Sequence, residues 1–452
     1  MRKAAMAGGA IAGALVILGS MAGYRAWMRS GALGEEVGED AGATLAMEGE
    51  ADASAIYGRI RTRDGGRYEG RIRWGGNQEA FWGDYFNGWR EQTPWVKYAA
   101  EGVPKRREPV EVFGFEVWSR EVKLEAGRYF MARFGDIARV DGGSSSVKVT
   151  LKSGTVFELK RSEASDFDDG LRVWDRGRGM VNLDSLRVES VEMLPGMGQG
   201  AAANRLHGRV QTTRGEFAGF IQWDRQDGSG WDYLEGRAGK ERVRMRFDGI
   251  RTIKRRSADS LTATLRDGSE RVLSGTRETG QGNRGLYVDD ERFGRVLVPW
   301  EAFERVEFDA GGSGPAYGDF PPGQRLDGSV TSVSGKRWAG RLIFDLDESE
   351  TTETLDAPTD GVDYTIPFGL IESIERPGRD LGGDGRARVR LHSGVELRME
   401  ARGDLGEKNG GMLIFTEAGQ QPEYVPWAEV QRVEFRRPAA MYPPLGGGEK
   451  KR

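Results

Sequence analysis

Apolar and polar residues alternate along short stretches of this chain, and glycines punctuate the alternation. In Gly58-Arg-Ile60-Arg-Thr62 and Gly70-Arg-Ile72-Arg-Trp74, the residues Ile60, Thr62, Ile72 and Trp74 fall on one face and Arg59, Arg61, Arg71 and Arg73 on the other. A period of two predicts half-buried strands of fixed register, because a slip of one residue would carry arginine into the core. The pattern is written again as Gly208-Arg-Val210-Gln-Thr212 with Gly219-Phe-Ile221-Gln-Trp223, and a third time as Gly328-Ser-Val330-Thr-Ser332 with Gly340-Arg-Leu342-Ile-Phe344. Self-similarity of this kind marks a repeat architecture. Gly70, Gly219 and Gly340 predict a bulge or sharp bend at the second strand of each unit.

Each unit has a second half with its own reprise. Val147-Lys-Val149-Thr-Leu151-Lys-Ser-Gly154, Leu261-Thr-Ala263-Thr-Leu265-Arg-Asp-Gly268 and Ala387-Arg-Val389-Arg-Leu391-His-Ser-Gly394 are strand-plus-turn segments of one design. The first halves end alike, in Phe134-Gly-Asp-Ile137, Phe247-Asp-Gly-Ile250 and Phe368-Gly-Leu-Ile371. These patterns predict an all-β chain of three tandem repeats, each of two small SH3/Sm-like barrels, over residues 55–193, 205–309 and 325–436. Glycine-rich linkers are expected at 194–204 and 310–324, and a disordered tail at 437–452.

The run Ile60-Arg-Thr-Arg-Asp64-Gly65-Gly-Arg-Tyr68-Glu-Gly70-Arg-Ile72 resembles the first motif of the Sm-like small barrels, and the whole strand-turn-strand set resembles SH3-like and PRC-type barrels. The resemblance implies a small-barrel fold. In Sm-like RNA binders it also implies a loop Asp followed by an Asn, and a later Arg-Gly. Here Asp224-Arg-Gln-Asp227 and Asp345-Leu-Asp347-Glu348 keep the Asp without the Asn, and Arg284-Gly285 matches the later element in one unit alone.

Ahead of the repeats, Arg2-Lys3 precedes an uncharged stretch from Ala4 to Ala22, so 1–29 reads as a signal peptide or a retained membrane anchor. Either one places the body of the protein outside the cytoplasm, in a periplasm or cell envelope. Residues 30–54 are rich in Gly, Ala and Glu and read as an acidic disordered tether. Charged residues make up 30% of the chain but the net charge is −4, so no strong field for nucleic acid is expected. Cysteine is absent, which excludes disulfides, thiolate catalysis and cysteine metal sites.

Candidate chemistry is sparse. His207 and His392 lie in different units, which argues against a histidine base or a zinc site, and no cofactor is expected. The clusters Asp166-Phe-Asp168-Asp169, Asp289-Asp290-Glu291 and Asp345-Leu-Asp347-Glu348-Ser-Glu350 read as solvated hairpin loops rather than calcium sites. Gly196-Met-Gly198-Gln-Gly200 lacks the strand and helix of a nucleotide site. Arg59, Arg61, Arg63, Arg71 and Arg73 read as the solvated face of a sheet. The aromatic insertion at 75–118 carries the ligand-binding candidates Trp82, Tyr85, Trp89 and Trp95, with two readings: a lid over a barrel end, or a platform for a glycan or protein partner. The expectation is a non-enzymatic envelope protein that binds a protein or glycan, attached to the membrane if the leader is retained. An Sm-like RNA binder and a carboxylate-based glycan hydrolase are the alternatives.

Overall fold

The computed structural model describes residues 53–75, 78–90, 93–99, 106–112, 115–122, 128–196, 205–309, 314–359, 361–377, 385–416 and 421–442. The leader, the tether up to 52, residues 197–204 and 310–313 of the linkers and the tail beyond 442 lie outside the described residues. Among the described residues no helix is long and apolar enough to cross a membrane.

Short strands dominate, as the alternation requires, and among the described residues helical structure is confined to single turns. The first segment runs β1 (Tyr57–Thr62), β2 (Arg67–Trp74), β3 (Tyr85–Arg90), β4 (Arg106–Val112), β5 (Phe115–Val122), β6 (Arg128–Arg133), β7 (Ile137–Gly142), β8 (Ser146–Leu151), β9 (Val156–Lys160), β10 (Leu171–Asp175), β11 (Gly179–Leu183) and β12 (Val188–Met193). The second comprises β13 (His207–Thr212), β14 (Gly215–Gln222), β15 (Tyr233–Ala238), β16 (Glu241–Arg246), β17 (Ile250–Ser257), β18 (Ser260–Leu265), β19 (Glu270–Ser274), β20 (Leu286–Asp290), β21 (Gly294–Val298) and β22 (Phe303–Phe308). The third comprises β23 (Asp327–Ser332), β24 (Arg337–Ile343), β25 (Thr354–Thr359), β26 (Val362–Pro367), β27 (Ile371–Glu375), β28 (Ala387–Leu391), β29 (Glu396–Met399), β30 (Met412–Phe415), β31 (Glu423–Val425) and β32 (Val430–Phe435).

Strand order in the first segment's sheet is β11-β10-β2-β1-β12-β7-β8-β9. The corresponding stretches elsewhere read β21-β20-β14-β13-β22-β17-β18-β19 and β31-β30-β24-β23-β32-β27-β28-β29. The third and fourth strands of each segment, setting aside the inserted β4 and β5, form a hairpin: β3 with β6, β15 with β16, β25 with β26.

Closed barrels are not formed, which corrects the expectation of two per unit. Among the described residues every sheet is open, ending in edge strands. The cause is the last strand of each segment. β12 pairs with β1 on one side and β7 on the other, and β22 and β32 do the same with their own first and fifth strands. The two halves that read as separate barrels therefore share one sheet.

The repeated glycines explain how those strands come so close. Gly58 stands directly opposite Gly70, Gly208 opposite Gly219 and Gly328 opposite Gly340. A Cβ on Gly70 would lie 1.9 Å from the Trp174 carbonyl oxygen, and one on Gly328 1.9 Å from that of Glu434. The bulges fall elsewhere than expected. Register shifts sit at Arg61/Thr62, Gln211/Thr212 and Thr331/Ser332, where each first strand meets its closing strand.

Two large cores result. One gathers Ile60, Ile72, Trp74, Phe86, Phe134 and Val140 of the first segment, and the other runs without a break through the second and third. The hairpin β25–β26 extends the sheet of the second segment, through Arg295↔Thr365, Val296↔Tyr364 and Leu297↔Asp363. The connection ahead of the third segment packs on the first. Phe320 is 2% exposed within the first core, and Lys152 Nζ donates to the carbonyls of Tyr317 and Phe320 at 2.6 and 2.9 Å. Tyr442 meets Trp82 edge-on, ring centroids 5.1 Å apart.

Candidate ligand-binding cleft

The insertion of the first segment lands on the third. In the hairpin β3–β6, Trp89 lies directly opposite Tyr129 and Arg90 opposite Arg128. Arg90 is buried and pairs with Asp347, while Arg128 lies 3.7 Å from Asp345. Thr93 Oγ1 donates to the Leu346 carbonyl at 2.7 Å. Between the two segments lies a cleft of about 250 Å³, lined by Trp89, Arg90, Arg128, Tyr129, Phe130 and Met131 on one side and by Asp345, Asp347, Glu348, Glu353, Asp356 and Asp404 on the other.

The four aromatic candidates part company here. Trp82 is buried beneath Tyr442 and the Arg133 guanidinium, and Tyr85 is buried with the Arg295 guanidinium 4.4 Å from its ring centroid, in the seam with the second segment. Trp95 is half-buried, edge-on to Phe415 of the third segment. Trp89 alone of the four lines the cleft, 36% exposed beside Tyr129 at 55%. Tyr129 was not singled out by sequence reasoning. Its signal was its place opposite Trp89, which needs the hairpin register.

The acidic residues from Asp345 to Glu350 are not a solvated loop. Asp345 and Asp347 are buried, and arginines of another segment reach both. Asp345 and Leu346 have φ of 51° and 56°, and Asp224 and Arg225 of the second segment match them at 51° and 60°. This left-handed pair turns the chain so that the Asp carboxyl accepts a backbone N–H, from Gly410 in one case and from Arg284 in the other.

Burial raises the carboxyls of this cleft. Asp345 and Glu353 are pushed up to about 7 and Asp356 to about 6, against the opposing pull of Arg128 on Asp345 and of Arg90 on Glu353. Glu348 and Asp404 are held well above the usual carboxylate range by burial, with repulsion from Asp345 adding to both.

Comparison of the three segments separates what the fold needs from what this cleft adds. Glu353 accepts the N–H groups of Ser349 and Glu350 at 2.6 and 3.0 Å, as Asp84 accepts those of Glu79 and Ala80, and as Asp232 accepts that of Ser229. Asp404 accepts the N–H of Asp356, as Asp166 accepts that of Asn87 and Glu278 that of Glu235. Carboxyls at the positions of Glu353 and Asp404 thus brace backbone in all three segments. Asp347, paired across to Arg90, and the aromatic pair Trp89 and Tyr129 belong to the cleft itself.

The other candidates resolve locally. His207 Nδ1 lies 3.1 Å from Asp309, and burial lowers His392. Arg59 pairs with Glu69 and Glu192, Arg73 with Glu79, and Arg63 donates to the carbonyls of Leu186 and Gly142. Asp289 and Asp290 pair with Arg295 and Arg292. Among the described residues, no three His, Asp or Glu side chains are placed to hold a metal ion. Compared with protein-family models, with curated proteins and with solved structures, the chain matches none.

Proposed function

We propose that this chain is an exported cell-envelope protein made of three copies of one ten-strand unit, acting as a scaffold that binds a glycan in the cleft between its first and third segments. The observation that carries the reading is the cross-strand pair Trp89 and Tyr129, two part-exposed rings beside carboxyl groups and the Arg90–Asp347 ion pair. A sugar ring stacks its C–H face on an aromatic surface while its hydroxyls bond to flanking polar groups, and the large, stiff side chains Trp and Tyr make such contact at low entropic cost. Support for the triplicate unit is the shared strand order and the glycine pairs. Support for export is the basic start followed by the uncharged run from Ala4 to Ala22.

The test is calorimetry with soluble fragments of envelope glycans. Trp89→Ala and Tyr129→Ala should each weaken binding about tenfold, about 1.4 kcal/mol, with the melting temperature unchanged. Loss of the fold in both variants, or unaltered binding, would return these rings to a packing role.

A second reading, hydrolysis of the same glycan, draws on Glu348, whose carboxyl is held well above the usual carboxylate range by burial and by repulsion from Asp347. Glu348→Gln should then abolish glycan cleavage while leaving binding intact. Absence of cleavage by the unaltered chain removes this reading.

A further inference from the structure

We propose that the open edge of β16 in one copy of the chain takes the open edge of β11 in a second copy, joining their sheets head to tail. The template for this joint is inside the molecule. There the fourth strand of the third segment, β26, pairs with the ninth strand of the second, β21. β16 is the fourth strand of the second segment and β11 the ninth of the first, and each stands at the end of its own sheet. One chain therefore leaves both halves of its internal joint open.

The registers fix what would meet what. The hairpins β15–β16 and β25–β26 put Arg242, Val243 and Arg244 where the internal joint has Asp363, Tyr364 and Thr365. The hairpins β10–β11 and β20–β21 put Met180, Val181 and Asn182 where it has Arg295, Val296 and Leu297. Transferring the observed pairing gives Met180↔Arg244, Val181↔Val243 and Asn182↔Arg242 across two copies. Both edges are accessible: Met180 is 45% exposed, and Arg242, Arg244, Gly179 and Asn182 are exposed as well.

Charge selects the partner. Arg242, Arg244 and Arg246 share one face of β16 and outnumber their partners Glu235 and Asp248, so two copies of β16 laid together would bring excess positive charge against itself, and edge charge of this kind opposes self-pairing. The strand Gly179–Leu183 carries no charge and offers no such clash. β6 is less available as a partner, since Arg128 to Met131 line the cleft, and β31 has only three residues. The joint is heterologous, each added copy exposing a fresh β16 or β11, so it builds rings or filaments instead of closed two-fold dimers.

The chain has no cysteine, which allows a direct register test on the full-length protein. Asn182→Cys and Arg242→Cys chains, purified separately, mixed and oxidised, should give a disulfide-linked pair of chains, while either variant alone should stay largely uncrosslinked. In sedimentation, the unaltered chain should grow with concentration. Met180→Lys should weaken that growth at least tenfold by facing Arg244, and adding Arg244→Glu should restore it. A chain that sediments as a monomer at every concentration overturns the proposal, and so does assembly that survives Met180→Lys while the mixed cysteine variants fail to crosslink.

Discussion

A glycine faces a glycine across the first two strands of every segment because both must accept a neighbouring carbonyl at a distance no side chain permits. On β2, Gly70 has the Trp174 carbonyl over the site of its missing Cβ, and on β1, Gly58 has that of Glu192 at 2.4 Å. Gly70→Ala is expected to cost about 3 kcal/mol or to prevent folding, because neither strand can move without breaking its ladder. Gly154 is the control. A Cβ there meets nothing within 4 Å, and its φ of 88° alone should make Gly154→Ala cost about 1–2 kcal/mol. Urea denaturation of the two variants measures the difference. These glycines were visible in the sequence by their recurrence and were read as a bulge or sharp bend, but the register shifts lie on the first strands instead. Close approach and bulge both favour glycine, and only the pairing partner on the far side distinguishes them.

Among the elements, the turn ahead of each third strand is held by a carboxyl that accepts backbone N–H groups: Asp84, Asp232 or Glu353. Burial lifts Asp232 as well, pushes Asp227 up to about 8, and brings Glu278, Asp345 and Glu353 to about 7. Unfolded carboxyls titrate near 4, so between there and pH 8 the folded state binds more protons than the unfolded one. Stability from these groups is full below about pH 4 and falls as pH rises through 7 to 8. Melting temperature should therefore drop by about 3 °C or more between pH 5.5 and 8.5. Glu353→Gln keeps an acceptor for the two N–H groups without the charge, so it should raise the melting temperature at pH 8.5 and shrink the drop. Asp64, held near 2 by Thr62 and Arg187, acts in the opposite sense but only under pH 4. The alternation in Ile60 to Trp74 made the strands legible, since burial on one face writes itself into local sequence. Asp347 was not legible, because its burial depends on Arg90, which is remote in the chain and carries no local mark.

At the scale of the molecule, segments that read as beads on a string are fastened to one another. The stretch expected as a linker lays Phe320 into the first core against Trp82 and Tyr442. Phe320→Ala should cost about 3–5 kcal/mol. The loss should appear in hydrogen exchange as lowered protection of β7 and of the hairpin β3–β6, with the third segment little changed. The alternating strands were readable from the sequence, whereas the pairing of β26 with β21 was not, since a contact between segments leaves no local mark on either strand.

The pairing of β26 with β21 has a consequence for how the protein folds. While the chain folds, β21 keeps a bare flank until Val362–Pro367 docks on it, and Trp82 lacks its cover until Tyr442 packs against it. Early portions of the described chain therefore stay incomplete until later ones close over them.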